Sequence, residues 1–422
     1  MWIPKPRNIA LGVLLSVGII ALGLAIAQDQ DTLRVRSPLG VDDRRFPDYL
    51  ARLLGHRLNE GDSISVHTDG DAAFPAMLAA IDGAKHRVSF ETYIFDTGAI
   101  PARFVESLAA AARRGVDVRM VVDAIGAEKM DEGARERLRQ AGARVAWFNP
   151  VASYSLEEAN YRTHRKALVV DGDTAFVGGI GIADQWAQPV DGSPKWRDTH
   201  LELHGQVALD VEAAFNENWI ETGGVVEPDL LMHEPPPNGA ARSIAVWSSP
   251  AGGANSMKLL YLMAIGAARR SLDIQSPYFI TDESTQWSLL DARKRGVRVR
   301  LLVEGDITDA KAVKHASRGL YDPLLAAGVE IYEYQPAMMH TKAMMIDGRF
   351  SMGGSANFDN RSLELNDELN VVIAGTQLAG RITSEFEEDL RRSTKLDLDH
   401  WRGRPLHIRG REKFWSFFGE IF

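Results

Sequence analysis

Cysteine is absent from all 422 residues, which excludes disulfides, thiolate metal sites and cysteine nucleophiles. A surplus of positive charge is missing as well. The formal net charge is -9, and a broad nucleic-acid surface needs basic side chains to displace counterions, so no nucleic acid is expected as a partner, although a local basic pocket stays compatible. Low-complexity tracts are lacking, and the apolar and charged fractions, 45% and 25%, are ordinary for a folded globular chain. The length suits two to three domains or one large bilobed unit.

Long apolar runs are also scarce, with one exception. Lys5 and Arg7 precede an uncharged, largely apolar run of 19 residues from Ile9 to Ala27, and Asp29 and Asp31 follow it. As a helix this run spans about 28 Å, close to the thickness of a bilayer core. Positive charge before it and acid after it predict a single pass with the remainder outside the cytoplasm. Ala25-Ile26-Ala27 also fits a signal-peptide cleavage pattern, which would make the mature chain secreted.

The rest of the chain repeats one order of elements. A strand pattern over 87–95, a helical stretch over 104–114, Gly115 and a β-branched strand over 116–122 are matched by 271–279, 288–295, Gly296 and 297–303. Both glycines sit where a helix ends, after an Arg-rich turn and before a strand. Upstream of each strand lies an amphipathic helix, one presenting Phe74, Met77, Leu78 and Ile81, the other Leu259, Tyr261, Leu262 and Ile265 with Ser256 as its cap. Alternating strands and helices predict α/β units around a mainly parallel or mixed sheet. The proline-rich segment 234–239 marks the seam. The resulting division is a membrane anchor or signal segment over 1–28, a charged tether over 29–60, one lobe over 61–233 and a second over 234–422. The aromatic tail 413–422 suits either a membrane interface or the protein's own core.

Each half carries the same chemical motif. The first reads His164-Arg165-Lys166 and, five residues past the lysine, Asp171-Gly172; the second reads His340-Thr341-Lys342 and Asp347-Gly348. Two residues apart on a strand, a histidine and a lysine point to the same face, and Asp-Gly turns the chain into the next strand. Attack on a phosphodiester concentrates charge on its non-bridging oxygens, which two lysines and nearby donors stabilise. Ser355, Asn357 and the backbone at Gly178-Gly179 are candidate donors. One imidazole can attack phosphorus while the other serves as acid and then base, its ordinary pKa of about 6.5 suiting both tasks. Asp198 and Glu368, each opening a following strand, are candidate orienters of the second ring nitrogens. No cofactor or metal is needed by this scheme. Arg361 is read as tying a loop or contacting a lipid phosphate, and His200 as a substrate contact or a structural group.

These motifs, with the segments 90–95 and 354–362, resemble the phospholipase D superfamily and, within it, the bacterial cardiolipin synthases, over about 63–373. The resemblance implies two duplicated αβα sandwich lobes with mixed sheets, arranged as a pseudo-dimer about one active site. It also implies metal-independent catalysis and a phosphohistidine intermediate, with His164 as nucleophile and His340 as acid and base. Phosphatidyl transfer from phosphatidylglycerol to a lipid alcohol is then expected, with hydrolysis to phosphatidic acid and a nuclease as alternatives. Phospholipid and a membrane surface are the expected partners. Two departures stand out: Gly181 occupies a position where the family often has asparagine, and there is one N-terminal apolar run where many cardiolipin synthases have two.

Overall fold

The structure is a computed structural model that describes residues 32–150, 160–226, 235–249 and 255–419. The apolar run 9–27 and Glu234 of the seam lie outside the described residues, among which no helix is long and apolar enough to cross a membrane.

The first lobe contributes β1 (Asn59–Thr68), β2 (Arg87–Thr92), β3 (Asp117–Asp123), β4 (Arg144–Phe148), β5 (Ala167–Val170), β6 (Thr174–Gly178) and β7 (Thr199–His204). The second contributes β8 (Ala241–Ser248), β9 (Ser271–Gln275), β10 (Phe279–Ile280), β11 (Arg298–Glu304), β12 (Glu330–Tyr334), β13 (Ala343–Ile346), β14 (Phe350–Gly354), β15 (Phe358–Asp359), β16 (Glu368–Ala374) and β17 (Ser393–Lys395). Within one lobe the strand order is β1-β7-β6-β5-β2-β3-β4, and the other repeats it as β8-β16-β14-β13-β9-β11-β12, with β17 added at the edge. The pairs β2–β3, β3–β4, β9–β11 and β11–β12 are parallel, whereas β5 and β13 run antiparallel to their neighbours. The expected duplicated, mixed sheet is present. The lobes join edge to edge where β1 meets β8 over Asn59↔Ser243 and Asp62↔Ala241, so both halves share one continuous sheet.

Helices follow where the sequence pattern places them. Helix Asp69–Gly83 buries Phe74, Met77, Leu78 and Ile81, and helix Ser256–Ala267 buries Leu262 and Ile265. Ser256 does not cap that helix: Asn255 is the N-cap, and its side chain makes no capping bond. Gly115 and Gly296 follow helices Ala99–Arg113 and Glu283–Lys294 with φ of +92° and +86°, a conformation that glycine adopts without a Cβ clash. Each lobe has its own core, and a third apolar layer belongs to both. In that layer Val169, Val177, Leu201 and Val207 of the first lobe pack with Ala245, Leu369, Val371 and Ile373 of the second. This shared layer packs β5, β6 and β7 of one lobe against β8 and β16 of the other.

One part of the tether expectation fails. Within 29–60 the chain forms helix Phe46–Leu54, whose Phe46, Leu50 and Leu54 recur every four residues and lie in the second lobe's core. The ring of Phe46 meets Phe350 edge-on at 5.4 Å. Abundant charge in this segment obscures a short helix whose single apolar stripe is enough to dock it.

Candidate active site

The lobes are stitched together at the two motifs by backbone hydrogen bonds. His164 N–H donates to the Asp367 carbonyl at 2.9 Å, and Asp367 N–H donates to the Arg162 carbonyl at 3.0 Å. In the related arrangement His340 N–H donates to the Arg197 carbonyl at 2.7 Å, and Arg197 N–H to the Met338 carbonyl at 2.9 Å. Each histidine-bearing segment is therefore paired with the orienter-bearing segment of the opposite lobe. The side chains follow: Nδ1 of His164 lies 2.8 Å from Glu368, and Nδ1 of His340 lies 2.8 Å from Asp198. With Nδ1 engaged, each ring has Nε2 left for chemistry.

Both histidines, with Tyr93, Arg162, Tyr278 and Asn357, line one cavity of about 410 Å³. The lysines lie below them, almost fully buried, with Lys166 Nζ donating to the His164 carbonyl at 2.7 Å and Lys342 Nζ to the His340 carbonyl at 2.6 Å. Aromatic edges confine the imidazoles: Tyr93 stands 5.2 Å from His164, and Trp186 and Trp196 stand 5.6 and 5.4 Å from His340.

Burial dominates the electrostatics. It pushes the His164 imidazole down to about 4 against the pull of Glu368, and it pushes His340 down as well, with Lys342 adding to the effect. The ammonium groups respond in the same sense, Lys166 falling to about 7 and Lys342 to about 8. Burial alone would raise the carboxyls of Glu368 and Asp198, but the adjacent histidines and lysines hold both below the ordinary carboxylate range. Burial thus favours the uncharged form of both imidazoles and weakens the hold of both lysines on their protons, while the two carboxylates keep their negative charge.

The candidate donors separate into different roles. Ser355 Oγ donates to Glu368 at 2.5 Å, so it steadies an orienter instead of facing the cavity. Asn357 lines the cavity, and its buried Oδ1 has no partner among the described residues. Gly179 lies against Asp198, whose Oδ1 would be 2.3 Å from any added Cβ. No hydroxyl fits there. Instead the indole of Trp186 donates to Asp198 at 3.0 Å, and the Thr199 N–H donates at 2.8 Å.

Asp171 and Asp347 do not belong to this cluster. They sit at the far ends of β5 and β13 with φ of +52° and +54°. Asp171 accepts the N–H groups of Lys85, His86 and Arg87, and Asp347 those of Arg269, Arg270 and Ser271. Four strand residues separate each aspartate from its lysine, carrying it away from the cavity and making it a turn-holding group. His200 likewise stays out of the cavity, behind Gly178, with both ring nitrogens buried. Arg361 ties a loop as expected, donating across the lobes to Asn160 at 2.9 Å, and it also lines the cavity.

The sequence reading missed Tyr93, Arg162, Tyr278 and Asp309 on the cavity wall. Arg162 was detectable, since it continues the two-residue period of His164 and Lys166 onto the same face. Among the described residues no group of three or more histidine, aspartate and glutamate side chains is arranged to hold a metal.

Comparison with known proteins places the chain in a family. The family model described as "Cardiolipin synthase, PLD-like domain" matches residues 77–188 and 261–390, one segment in each lobe. A cardiolipin synthase from Geobacillus kaustophilus is 33% identical over 382 residues, covering 89% of this chain and 75% of the relative. Cardiolipin synthase 2 from Bacillus cereus is 34% identical over 348 residues, 81% of this chain and 67% of the relative. Among solved structures, a phosphatidylserine synthase from Haemophilus influenzae superposes with a TM-score of 0.68 at 14% identity, covering 89% of this chain and all of that one, which establishes the shared fold. The chain is an enzyme of the phospholipase D phosphatidyltransferase type and belongs to the cardiolipin synthase family with phospholipase D-like domains.

Proposed function

We propose that the enzyme moves a phosphatidyl group from phosphatidylglycerol to the alcohol of a second lipid through a covalent adduct on His164. Neutral His164 attacks phosphorus with Nε2, and the bond to the departing glycerol oxygen breaks as His340 delivers its proton. The acceptor alcohol then yields a proton to His340, attacks the same phosphorus and frees His164. Glu368 and Asp198 hold the rings and stabilise the positive charge each carries in turn. Lys166, Lys342 and the amide of Asn357 are the proposed stabilisers of charge on the non-bridging oxygens. His340 must be protonated at the outset, and an entering phosphodiester anion raises its pKa against the burial that lowers it. The observation that carries this reading is the pair of imidazoles from different lobes opening on one cavity, each held by a carboxylate from the other lobe. The charge flanks of the run 9–27 support a single-pass anchor with the catalytic lobes outside the cytoplasm.

The test is purified full-length enzyme in detergent with phosphatidylglycerol labelled in its phosphatidyl part. Cardiolipin and free glycerol are the expected products. Phosphatidic acid as the sole product would replace transfer by hydrolysis, and activity confined to DNA would remove the lipid reading. Turnover is expected to persist in excess EDTA; a loss restored by a divalent ion would overturn the metal-free scheme. In His340→Ala the label is expected to accumulate on His164, and label on another residue would reverse the roles.

A further inference from the structure

The C-terminal helix Leu406–Ser416 is poorly covered by the rest of the protein. Leu406, Phe414 and Phe417 are 80%, 59% and 59% exposed. Spaced by eight and three residues, they form one stripe together with Gly410. The same helix is cationic in an acidic protein. Arg409, Arg411 and Lys413 form no ion pair among the described residues, whereas its acid, Glu412, is buried against Arg318 and Arg404. The opposite face packs on helix Lys311–Arg318, and between the two a cleft of about 330 Å³ is lined by Lys311, His315, Ile408 and Arg411 among others.

Three observations tie this stripe to the active site. Val313, on the supporting helix, lines the cavity that holds His164 and His340. Gly419, just past the helix, sits against Ile280 of β10, close enough that an added Cβ would come within 2.9 Å of that side chain. β10 pairs with β15, whose Asp359 lines the cavity, and Tyr278 beside β10 lines it too. The described chain also starts here: Thr32 donates to Glu283 at 2.9 Å, and the Leu33 N–H to Ser284 at 2.9 Å, three and four residues past Ile280. The first described residues, Thr32 and Leu33, therefore lie close to β10, which borders both the cavity and Gly419.

We infer that the exposed stripe of helix Leu406–Ser416 docks on an anionic bilayer surface and sets the cavity mouth at the lipid headgroups. Aromatic and leucine side chains enter the interface, while Arg409 and Lys413, which flank the stripe, meet anionic headgroups. A second copy of the chain is a poorer occupant, because these unpaired cations would face themselves across a two-fold contact. The inference rests on the lipid reading of the site only for the choice of surface.

The lack of cysteine permits a direct test on the full chain. Gly410→Cys, where an added Cβ meets nothing within 4 Å, and Arg349→Cys, exposed in the turn after Asp347, are each labelled with an environment-sensitive fluorophore. The proteins are reconstituted in phosphatidylcholine vesicles with or without phosphatidylglycerol. The label at 410 is expected to shift to the blue and to be quenched severalfold by nitroxide lipid when phosphatidylglycerol is present, while the label at 349 stays water-like. A water-like, unquenched label at 410 overturns the inference. So does a shift that follows protein density instead of lipid composition, which would assign the stripe to a second copy. Phe414→Ser with Phe417→Ser is expected to lower turnover on vesicles about tenfold while sparing dispersed short-chain phosphatidylglycerol; an equal fall on both overturns it. Failure of every preparation to make cardiolipin would strike the functional proposal and leave the label readout to judge the docking.

Discussion

The two lobes deliver the same imidazole to the cavity but support it with different residues. On the His164 side the orienter is Glu368, and its second oxygen takes the Ser355 hydroxyl. On the His340 side the orienter is the shorter Asp198, and its oxygens take the Trp186 indole and the Thr199 N–H. Sheet register makes the exchange explicit: Gly178 pairs with His200 as Gly354 pairs with Asn370, so Gly179 and Gly181 stand where Ser355 and Asn357 stand in the other half. An added Cβ on Gly181 would fall 2.9 Å from Ile94 and 3.1 Å from the Trp186 ring. The indole thus occupies the space of the missing amide and replaces the missing hydroxyl as donor. Duplication supplied two equal halves; the bulky donor on one side leaves Asn357 as a one-sided amide in the cavity, and the surroundings of the two histidines are no longer alike.

The largest effect follows from the division of labour proposed for the two histidines. His164→Ala and His340→Ala should each lower turnover by about 10⁴-fold or more, because groups acting in one sequence of bond changes fail together. Their sum should be far from additive, the double variant being little worse than either single one in a steady-state assay. Additive losses would indicate two independent sites, one per lobe, and the comparison would lose its basis.

Next come the orienters, with an expected loss of about 10²- to 10⁴-fold for Glu368→Gln and for Asp198→Asn. The pH profile separates them from simple structural damage. Glu368 raises the His164 pKa against burial, so its neutral replacement lowers that pKa further, and the acidic limb of kcat/KM should move to lower pH. Ser355→Ala should act in the opposite sense, because a carboxylate that loses a donor favours the imidazolium more strongly, moving the limb to higher pH with about a tenfold loss. Limbs that stay in place in both variants would detach Glu368 from the titration of His164.

A smaller effect tests the asymmetric amide. Asn357→Ala should cost about 10²-fold in kcat, the scale of one lost donor to a developing oxyanion. The symmetrising change Gly181→Asn should give no gain in rate and should destabilise the fold by about 1–3 kcal/mol, since the Trp186 ring leaves no room for the side chain. Denaturant melts with parallel turnover assays measure both. A more active, equally stable Gly181→Asn enzyme would show that the indole yields and that the asymmetry is incidental.

Particular residues explain what was legible beforehand. The duplicated sheet, the two histidines and lysines, and both orienters followed from period-two spacing and from elements repeated at an almost constant offset, signals carried within short stretches of chain. The crossing of the orienters was not legible, because Glu368 reaches His164 over 204 residues through a backbone contact between lobes. Trp186 was missed for a related reason: its donor role depends on two glycines at 179 and 181 leaving space. Helix Phe46–Leu54 hid in a charged segment, and Ser355 was assigned to the substrate because a hydroxyl near a motif carries no sign of which carboxylate it will face.

The smallest effect on rate should come from the motif aspartates, which the sequence pattern groups with the catalytic residues. Asp171 and Asp347 each gather three backbone N–H groups of the opposing strand end while holding a left-handed turn. Losing those charge-assisted bonds in Asp171→Ala or Asp347→Ala should destabilise the fold by about 2–3 kcal/mol. The alanine also takes a backbone conformation that its Cβ resists. The folded fraction should retain kcat within about twofold, because neither carboxylate reaches the cavity. Here the lobes are alike, so the two variants should lose similar stability in urea, with Asp347, the more buried of the pair, losing slightly more. A hundredfold fall in kcat without a fall in stability would return these residues to the catalytic set, and it would mean that the strand ends communicate with the histidines through the sheet.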